Sequence, residues 1–253
     1  MGTWPSLGLA PSPSSLALLV SGVTDMPPPP KRGSRRRGFA PGAKFAIGGQ
    51  SAYLPAMPST YAPCIPIAGK AVPARPQWLH EIKYDGYRLI LVREDKRARL
   101  LTRNGHDWSG RFPWIVESAL KNRQKHFVID GEAVVLGVDG VADLNALHLR
   151  QHDEEVQLYA FDCLALDGED LRGLPLSMRK TNLARLLARR PDGIFAAPFE
   201  QGEIAFRAAC KMGLEGLVSK RLARPYRAGR SKDWVKVKNR KHPATSRVME
   251  TFV

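Results

Sequence analysis

Short strand-like runs, each closed by a turn signal, limit the folds open to this chain more than any other feature. The pattern is strand-like from His80 to Val92, with a break at Asp85–Gly86, and the run RARLLTRNG is closed by the turn dipeptide Asn104–Gly105. The segment VQLYAFDCLAL predicts a largely buried strand, and HFVIDGEAVVLG predicts a strand, a turn and a second strand. EGLVSKR and WVKVK predict two further strands, with a basic loop between them.

Three segments have helical spacing instead. WIVESALKNRQ is one, and MRKTNLARLLARR is another, with Leu183, Leu186 and Leu187 on one face and Ser177 placed to cap it. EIAFRAACKM stops at Gly213, a residue type common at helix ends. Because strands outnumber helices and the two are mixed along the chain, we expect an α+β domain with largely antiparallel sheets and flanking helices.

The N-terminal part of the chain has a composition of its own. It contains MPPPPKRGSRRRGFAPG, in which four consecutive prolines precede a cluster of lysines and arginines. Such a segment cannot bury a core, so we predict a disordered Pro-rich basic extension at 1–60, a folded domain at 61–241 and a short tail at 242–253. The extension is either a basic arm for nucleic acid phosphates or an unstructured tail. Translation could also begin at Met26, which would omit residues 1–25 of the extension.

Charge and cysteine content narrow the partners. A net charge of +15 and a pI near 10.1 favour a polyanion, with nucleic acid ahead of an anionic membrane surface. No apolar run approaches the roughly 18 residues of a membrane span, and SLALLVSGV lacks the flanks of a signal peptide. The three cysteines lie far apart without metal-site spacing, which is typical of a reducing compartment. We therefore expect a cytoplasmic protein without membrane association.

Lys83, within the stretch EIKYDGYR, is the first candidate for chemistry. A neutral lysine amine attacks phosphorus, but its ordinary pKa of about 10.4 keeps it protonated unless burial and nearby cations lower that pKa. Asp85 would point to the same side as Lys83 if the strand continued, and Arg88 offers a planar fork for a phosphate or ribose oxygen. By itself the stretch fits either a nucleophile or a solvated strand lysine.

Further candidates lie downstream. Glu132 and Glu215 are lone acids in strand-like apolar stretches, where a carboxylate needs a cation or a metal; structural salt bridges are the alternative. Phe161 is an aromatic residue in an apolar strand and fits an ordinary core position. From Lys220 to Lys241 ten lysines and arginines accompany a single acid, Asp233, a composition that favours contact with phosphates.

Taken in order, these stretches resemble the motifs of the covalent nucleotidyltransferases, which include ATP-dependent DNA ligases, RNA ligases and mRNA-capping enzymes. KYDGYR resembles the Lys-x-Asp-Gly-x-Arg motif, and LLTRNGHDWSGRFP and FVIDGEAV resemble the next two elements. LYAFDCLALDG, EGLVSKR and DWVKVK are similar to the base-stacking, metal-binding and phosphate-binding elements. The resemblance extends from Glu81 to Lys238, and the sequences of these motifs are most similar to those of bacterial ATP-dependent DNA ligases of the end-joining type.

The resemblance implies an ATP-grasp-like nucleotidyltransferase fold and a role for each matching residue. Lys83 would be the nucleophile. A divalent metal, Mg²⁺ or Mn²⁺, would be held by Glu132 and Glu215. Phe161 would stack on the base of ATP, and the nucleotide would be bound by Glu81, Arg88, Arg103, Glu132, Phe161, Lys220, Lys236 and Lys238.

The implied reaction forms lysine–AMP, transfers the AMP to the 5′-phosphate of nicked duplex DNA and seals the nick. Ligases of this type continue into an OB-fold domain after WVKVK, and we expect none here, so a partner protein is one way to supply that function. We expect a monomer. Two alternatives stay open: a weak or inactive DNA-binding remnant, and an RNA ligase-type nucleotidyltransferase.

Overall fold

The computed structural model describes residues 61–150, 152–188, 192–201 and 206–242. The predicted extension at 1–60 and all but the first residue of the predicted tail lie outside these ranges. The strands are β1 Cys64–Ala68, β2 Trp78–Ile82, β3 Tyr87–Glu94, β4 Arg97–Thr102, β5 His126–Val134, β6 Gln157–Leu166, β7 Glu169–Asp170, β8 Ile194–Ala196, β9 Phe199–Gln201, β10 Gly216–Arg221 and β11 Gly229–Lys238. The helices are α1 Pro113–Lys121, α2 Leu144–His148, α3 Leu176–Leu187 and α4 Phe206–Lys211, with a 3₁₀ turn at Asp153–Glu155.

Two sheets form the frame. The first sheet has the order β1-β11-β10-β2-β9, and β1 alone runs parallel to its neighbour. The second sheet has the order β4-β3-β5-β6-β7, with the short β8 parallel to β6. All other pairs in the second sheet are antiparallel, so the prediction of an α+β fold with largely antiparallel sheets is confirmed.

The second sheet is covered on both faces, which explains its long apolar runs. Leu89 and Leu91 of β3 pack with Ile115 of α1 and with α3, whereas Ile90 and Val92 pack with Trp234 on the side of the first sheet. Since successive side chains of a strand point to opposite faces, a strand buried on both sides reads as continuous rather than alternating. Helices therefore flank one face of this sheet, and the first sheet contacts the other.

The break at Asp85–Gly86 is present but does not form a hairpin. β2 ends at Ile82 in the first sheet and β3 begins at Tyr87 in the second, and the two strands do not pair. The four residues between them cross from one sheet to the other. Gly86 fits there because a Cβ atom would lie 2.3 Å from the Ala133 carbonyl oxygen. This crossing places Lys83 between the two sheets.

Two local predictions are wrong. HFVIDGEAVVLG does not turn at Asp130–Gly131, because β5 runs through it, paired with β3 and β6 on both sides. Ser177 does not cap α3, because the helix begins one residue earlier and Pro175 occupies the capping position. The backbone N–H groups of Leu176 and Ser177 donate instead to carbonyls of the β10–β11 loop. Tertiary contact thus replaces the local cap.

The remaining helix predictions hold within the described ranges. WIVESALKNRQ contains α1, although the helix starts at Pro113 and ends at Lys121. α4 ends at Lys211, and Gly213 follows with a φ of 77°, the left-handed conformation expected after a helix end. Among the described residues, none of the helices combines the length and the apolar character that a membrane crossing requires.

Candidate active site

One face of the first sheet forms the floor of a cavity. Lys236 of β11, Val218 of β10 and Glu81 of β2 are paired side by side across three strands. Trp234 and Lys220 form the next row. Because residues two apart on a strand share a face, these side chains all lie on the same side of the sheet. The floor therefore combines an acid, two lysines and an aromatic ring.

The second sheet supplies the opposite wall. Arg88 of β3 is paired directly with Glu132 of β5. In β6 the register steps from Asp162 to Ala160 opposite Asp130–Gly131, so Phe161 is the extra residue of a β-bulge. A bulge turns its extra residue away from the regular alternation of the strand. Phe161 thereby faces the cavity.

Eight of the ten predicted site residues line this cavity, whose volume is about 190 Å³. They are Glu81, Lys83, Arg88, Arg103, Glu132, Phe161, Lys220 and Lys236. Of the other two, Glu215 joins the site by binding Lys83, and Lys238 joins it by binding Glu215. Residues that are separated by as many as 155 positions in the sequence, from Glu81 to Lys236, therefore meet in one place.

Lys83 lies one residue beyond β2, where its backbone N–H donates to the Gly216 carbonyl. Its ammonium donates to Glu215 Oε2 at 2.5 Å, and Lys238 Nζ lies 3.2 Å from Oε1 of the same carboxylate. Glu215 is buried, so this carboxylate holds two lysines in a fixed position. The strand does not continue to Asp85, so the expected alignment of Asp85 with Lys83 loses its basis.

Glu132 is a carboxylate in an unfavourable environment. Burial raises its pKa to about 7, because Lys83 and Arg88 offset only part of the cost and the carboxylates of Asp130 and Glu215 add to it. A cation bound beside Glu132 would relieve this cost. No group of three or more metal-ligating side chains exists within the described ranges, so a metal here would take further ligands from phosphate oxygens or water.

Arg88 is held from behind by a network that the sequence analysis missed. Its guanidinium donates to both oxygens of the fully buried Asp130, at 2.9 and 2.6 Å. Tyr226 donates its hydroxyl to Asp130 at 2.6 Å and accepts the backbone N–H of Cys64 at 2.8 Å. The guanidinium carbon of Arg88 lies 4.9 Å from the centre of the Phe161 ring. Arg88 thus reaches the cavity with two of its nitrogens already occupied.

Lys220 is buried against two aromatic rings. Its ammonium lies 4.0 Å from the centres of both Phe161 and Trp234, a cation–π arrangement. Burial lowers the pKa of Lys220 to about 8, although its partner Glu81, 2.5 Å away, acts to raise it. Trp234 was not among the predicted site residues. Its place in DWVKVK, two residues before Lys236 on the same face of β11, was the signal that could have identified it.

Glu81 is paired with two lysines, one of them unexpected. Lys220 contacts one carboxylate oxygen, and Lys180 from helix α3 contacts the other. Burial acts to raise the pKa of Glu81, but the two lysines outweigh it and hold that pKa below its ordinary value. Lys180 had a sequence signal of its own, because it falls in the apolar stripe of α3 between Leu176 and Leu183.

Lys236 completes the cationic side of the cavity. Burial lowers its pKa, as do the nearby charges of Lys83 and Lys238, and Glu215 acts in the opposite direction. Arg103 also lowers the pKa of Lys236, which places this arginine in the same electrostatic environment. Several cations held close together without enough acids to balance them are suited to bind an anion such as a polyphosphate.

The basic segment from Lys220 to Lys241 divides into two parts. Lys220 faces inward, and Arg221 and Arg224 lie near Asp233, with N–O distances of 3.8 and 3.5 Å. Other cations of the segment are exposed to solvent, among them Arg227, Arg230, Lys232 and Arg240. These exposed side chains are accessible to a large polyanion, whereas Lys220 lines the cavity.

Comparison with known proteins gives a consistent result. The family model described as ATP dependent DNA ligase domain matches residues 67–238. The multifunctional non-homologous end joining protein LigD of Pseudomonas aeruginosa is 38% identical over 204 residues, which are 78% of this chain and 24% of that protein. The multifunctional non-homologous end joining DNA repair protein LigD of Mycobacterium tuberculosis is 35% identical over 64% of this chain and 22% of its own length. The chain thus spans about a quarter of these relatives.

Solved structures agree with the sequence comparison. A mycobacterial DNA ligase D complexed with ATP and MES matches with a TM-score of 0.62 and 33% identity, over 70% of this chain and 60% of that one. A Lig E DNA ligase matches at 18% identity with a TM-score of 0.51, which supports the fold alone. The fold of this chain is therefore shared with solved DNA ligases.

Proposed function

This chain belongs to the family of ATP-dependent DNA ligase domains, and we propose that its cavity binds ATP and loads AMP onto Lys83 for the sealing of nicked duplex DNA. The observation that carries the proposal is the position of Lys83. Its ammonium lies between the two sheets, bound to Glu215 and beside a cavity lined by Lys220 and Lys236. A nucleophile for phosphorus needs such a cationic surrounding, because negative charge accumulates on the phosphate oxygens during attack.

In the first step, the ammonium of Lys83 gives up a proton to solvent, and the neutral Nζ then forms a bond to the α-phosphorus of ATP while the bond to pyrophosphate breaks. Glu215 orients the amine through its hydrogen bond, and Lys236 and Lys238 balance the charge of the α-phosphate. Phe161 stacks on the base. Arg88, held by Asp130, is directed at the ribose or a phosphate, and Arg103 and Glu132 complete the nucleotide contacts.

Two further displacements would follow from the DNA. The 5′-phosphate at a nick takes the AMP from Lys83, which recovers its amine, and the neighbouring 3′-hydroxyl then displaces AMP to close the strand. The exposed cations of the basic segment are suited to hold the duplex through its phosphates. Because two relatives are end-joining proteins by name, we place this activity in DNA repair. We place the protein in the cytoplasm, because its free cysteines are typical of a reducing compartment.

Glu132 and Glu215 fit a divalent cation. Hard cations such as Mg²⁺ or Mn²⁺ prefer carboxylate and phosphate oxygens, and the raised pKa of Glu132 indicates a carboxylate that a cation would stabilise. When bound, the metal would neutralise charge on the phosphate oxygens. All residues of this arrangement come from one chain, so we propose that the protein acts as a monomer.

The proposal is tested with α-labelled ATP and Mg²⁺. We expect label to stay covalently on the protein, to be lost in Lys83→Ala and Lys83→Arg, and to persist in Lys96→Ala, a substitution at the exposed β3–β4 turn. Absence of label on the parent protein would contradict the proposal and favour a DNA-binding remnant. Label that persists in Lys83→Ala would move the nucleophile to another residue.

The acceptor is tested with the labelled protein. Nicked duplex DNA should take the AMP onto its 5′-phosphate, and the nick should then be closed, as measured on a denaturing gel. A nicked RNA duplex serves as the comparison. Faster transfer to RNA than to DNA would replace the proposed substrate with that of an RNA ligase.

A further inference from the structure

The carboxylate of Glu81 is held by two lysines, of which just one reaches the cavity. Glu81 has 3% of its surface exposed and lines the cavity together with Lys220. Lys180 contacts the other oxygen of Glu81 from helix α3 and does not line the cavity. A nucleotide in the cavity would therefore meet Glu81 and Lys220, and Lys180 would act on it through Glu81.

Helix α3 fixes the position of Lys180. The preceding residue, Arg179, is fully buried and donates to both oxygens of Asp162, at 2.7 and 3.0 Å. Lys180 has 6% of its surface exposed, and its ammonium lies 4.9 Å from the centre of the Phe199 ring. This lysine is thus held behind Glu81 by contacts on both sides.

The carboxylate keeps capacity for a ligand. Each oxygen of Glu81 contacts one lysine, Oε1 with Lys180 and Oε2 with Lys220, and a carboxylate oxygen can accept more than one hydrogen bond. An ionised carboxylate accepts hydrogen bonds and donates none. It therefore suits the exocyclic amine of adenine, which is a donor, and opposes the carbonyl that guanine has at the same position.

We propose that Lys180 is a positioning residue for base recognition, because it holds Glu81 ionised and oriented toward the 6-amino group of the adenine. This inference rests on the proposed function. The neighbouring Phe161 and Val218 line the same cavity and provide surfaces on which a base can lie. Without Lys180 the buried carboxylate would lose one of its two lysine partners, and the other, Lys220, gives up its proton more easily than an ordinary lysine, since its pKa is about 8.

The test compares ATP with purine riboside triphosphate, which has hydrogen in place of the 6-amino group. Both are α-labelled, and KM and kcat for protein labelling are measured. The parent should have a lower KM for ATP than for the analogue. In Lys180→Met the KM for ATP should rise about 10-fold or more, the loss expected for a hydrogen bond to a charged group, while the KM for the analogue and both kcat values change less than about 3-fold.

Two controls separate this role from a structural one. Lys180→Arg keeps the cation and should keep the preference for ATP. Arg185→Met removes an exposed cation from the same helix and should leave both KM values as in the parent. A purely structural role for Lys180 would lower labelling with both nucleotides equally, and that result would overturn the inference.

Two variants in which residue 81 is uncharged keep the inference testable if Lys180→Met does not fold. Glu81→Gln is compared with the double variant Glu81→Gln/Lys180→Met. Since the amide needs no counter-ion, adding Lys180→Met should change the ratio of the two KM values by less than about 2-fold. A further loss of about 10-fold in this background would show that Lys180 acts independently of Glu81.

Failure of the proposed function and failure of this inference give different results. If the parent forms no lysine–AMP, the proposed function fails. If the parent is labelled but does not prefer ATP to the analogue, this inference alone fails.

Discussion

Lys220 illustrates how burial of a single residue controls the charge of the site. Its folded pKa of about 8 lies below the ordinary value of 10.5, so the folded protein gives up the proton of Lys220 more easily than the unfolded chain does. Lys220 therefore contributes stability that is present above about pH 10.5 and lost as the pH falls through about 8. At neutral pH Lys220 is charged, which lowers the stability of the fold, and this charge lies where a polyphosphate would contact it.

ATP binding should consequently weaken in alkaline solution. In a Lys83→Met variant, which binds without reacting, the affinity for ATP should fall several-fold as the pH rises through about 8, because Lys220 loses its charge there. Isothermal titration at a series of pH values measures this. Lys220→Arg in the same background stays charged throughout and should flatten the profile. An equal fall in both proteins would assign the effect to another group.

Tyr226 links the wall of the cavity to the start of the first sheet through its hydroxyl. Tyr226→Phe removes the donor to Asp130 and the acceptor for the Cys64 N–H, and leaves that N–H unpaired in the interior. We expect the free energy of unfolding in urea to fall by roughly 1–3 kcal/mol. Tyr87→Phe, whose hydroxyl pairs with His148 at the surface, is the matched control and should cost less than about 1 kcal/mol. Equal losses in the two variants would contradict this account.

At the scale of single residues, the sequence predicted the side chains that line the cavity better than the side chains that fix their positions. Lys83, Glu132 and Glu215 belong to short local patterns that can be read along the chain. The pairing of Arg88 with Asp130 and Tyr226 joins residues 42 and 96 positions from one another, and no local pattern contains such a pair. The supporting residues are therefore known only once the strands have been placed.

At the scale of elements, the two β6 bulges decide which side chains face the site. Phe161 and Leu164 are the extra residues, and the strand around them is buried on both faces. Regular alternation along VQLYAFDCLAL would have assigned a single fixed face to each residue. The sequence predicted a buried strand correctly, but the bulges result from how β6 fits against β5 and cannot be read from an apolar run.

The crossing from β2 to β3 depends on Gly86. Gly86→Ala would place a Cβ atom 2.3 Å from the Ala133 carbonyl oxygen and 2.7 Å from Val134 Cγ1, so backbone must shift. We expect thermal unfolding at a lower temperature, a cost of roughly 1–3 kcal/mol, and slower labelling of Lys83. Gly110→Ala is the control, since no atom of the described residues lies within 4 Å of its added Cβ. An unchanged melting temperature in Gly86→Ala would show that the crossing is not tightly packed.

At the scale of the whole molecule, the exposed cations of the basic segment should govern DNA affinity. Arg230→Ala/Lys232→Ala should weaken binding of nicked duplex and lower the dependence of log affinity on log salt by about 1 for each phosphate that these side chains neutralise. Fluorescence anisotropy at several salt concentrations measures the slope. Lys96→Ala, at the opposite end of β3 from Arg88, should leave the slope unchanged. Equal slopes in the double variant and the parent would place the duplex elsewhere.

The topology of the first sheet also has a consequence for the order of folding. β1 and β2 come from the start of the described chain and pair with β11 and β10 from its end, so Cys64 meets Gly229 and Glu81 meets Val218. Closing so long a loop is slow compared with forming the neighbouring strand pairs of the second sheet, such as β3 with β4. Lys83 and its partner Glu215 lie on opposite sides of that closure. We therefore expect a nascent chain to form the helix-covered second sheet early, and to bring Lys83, the proposed nucleophile, to the Glu215 carboxylate only in the final stage of folding.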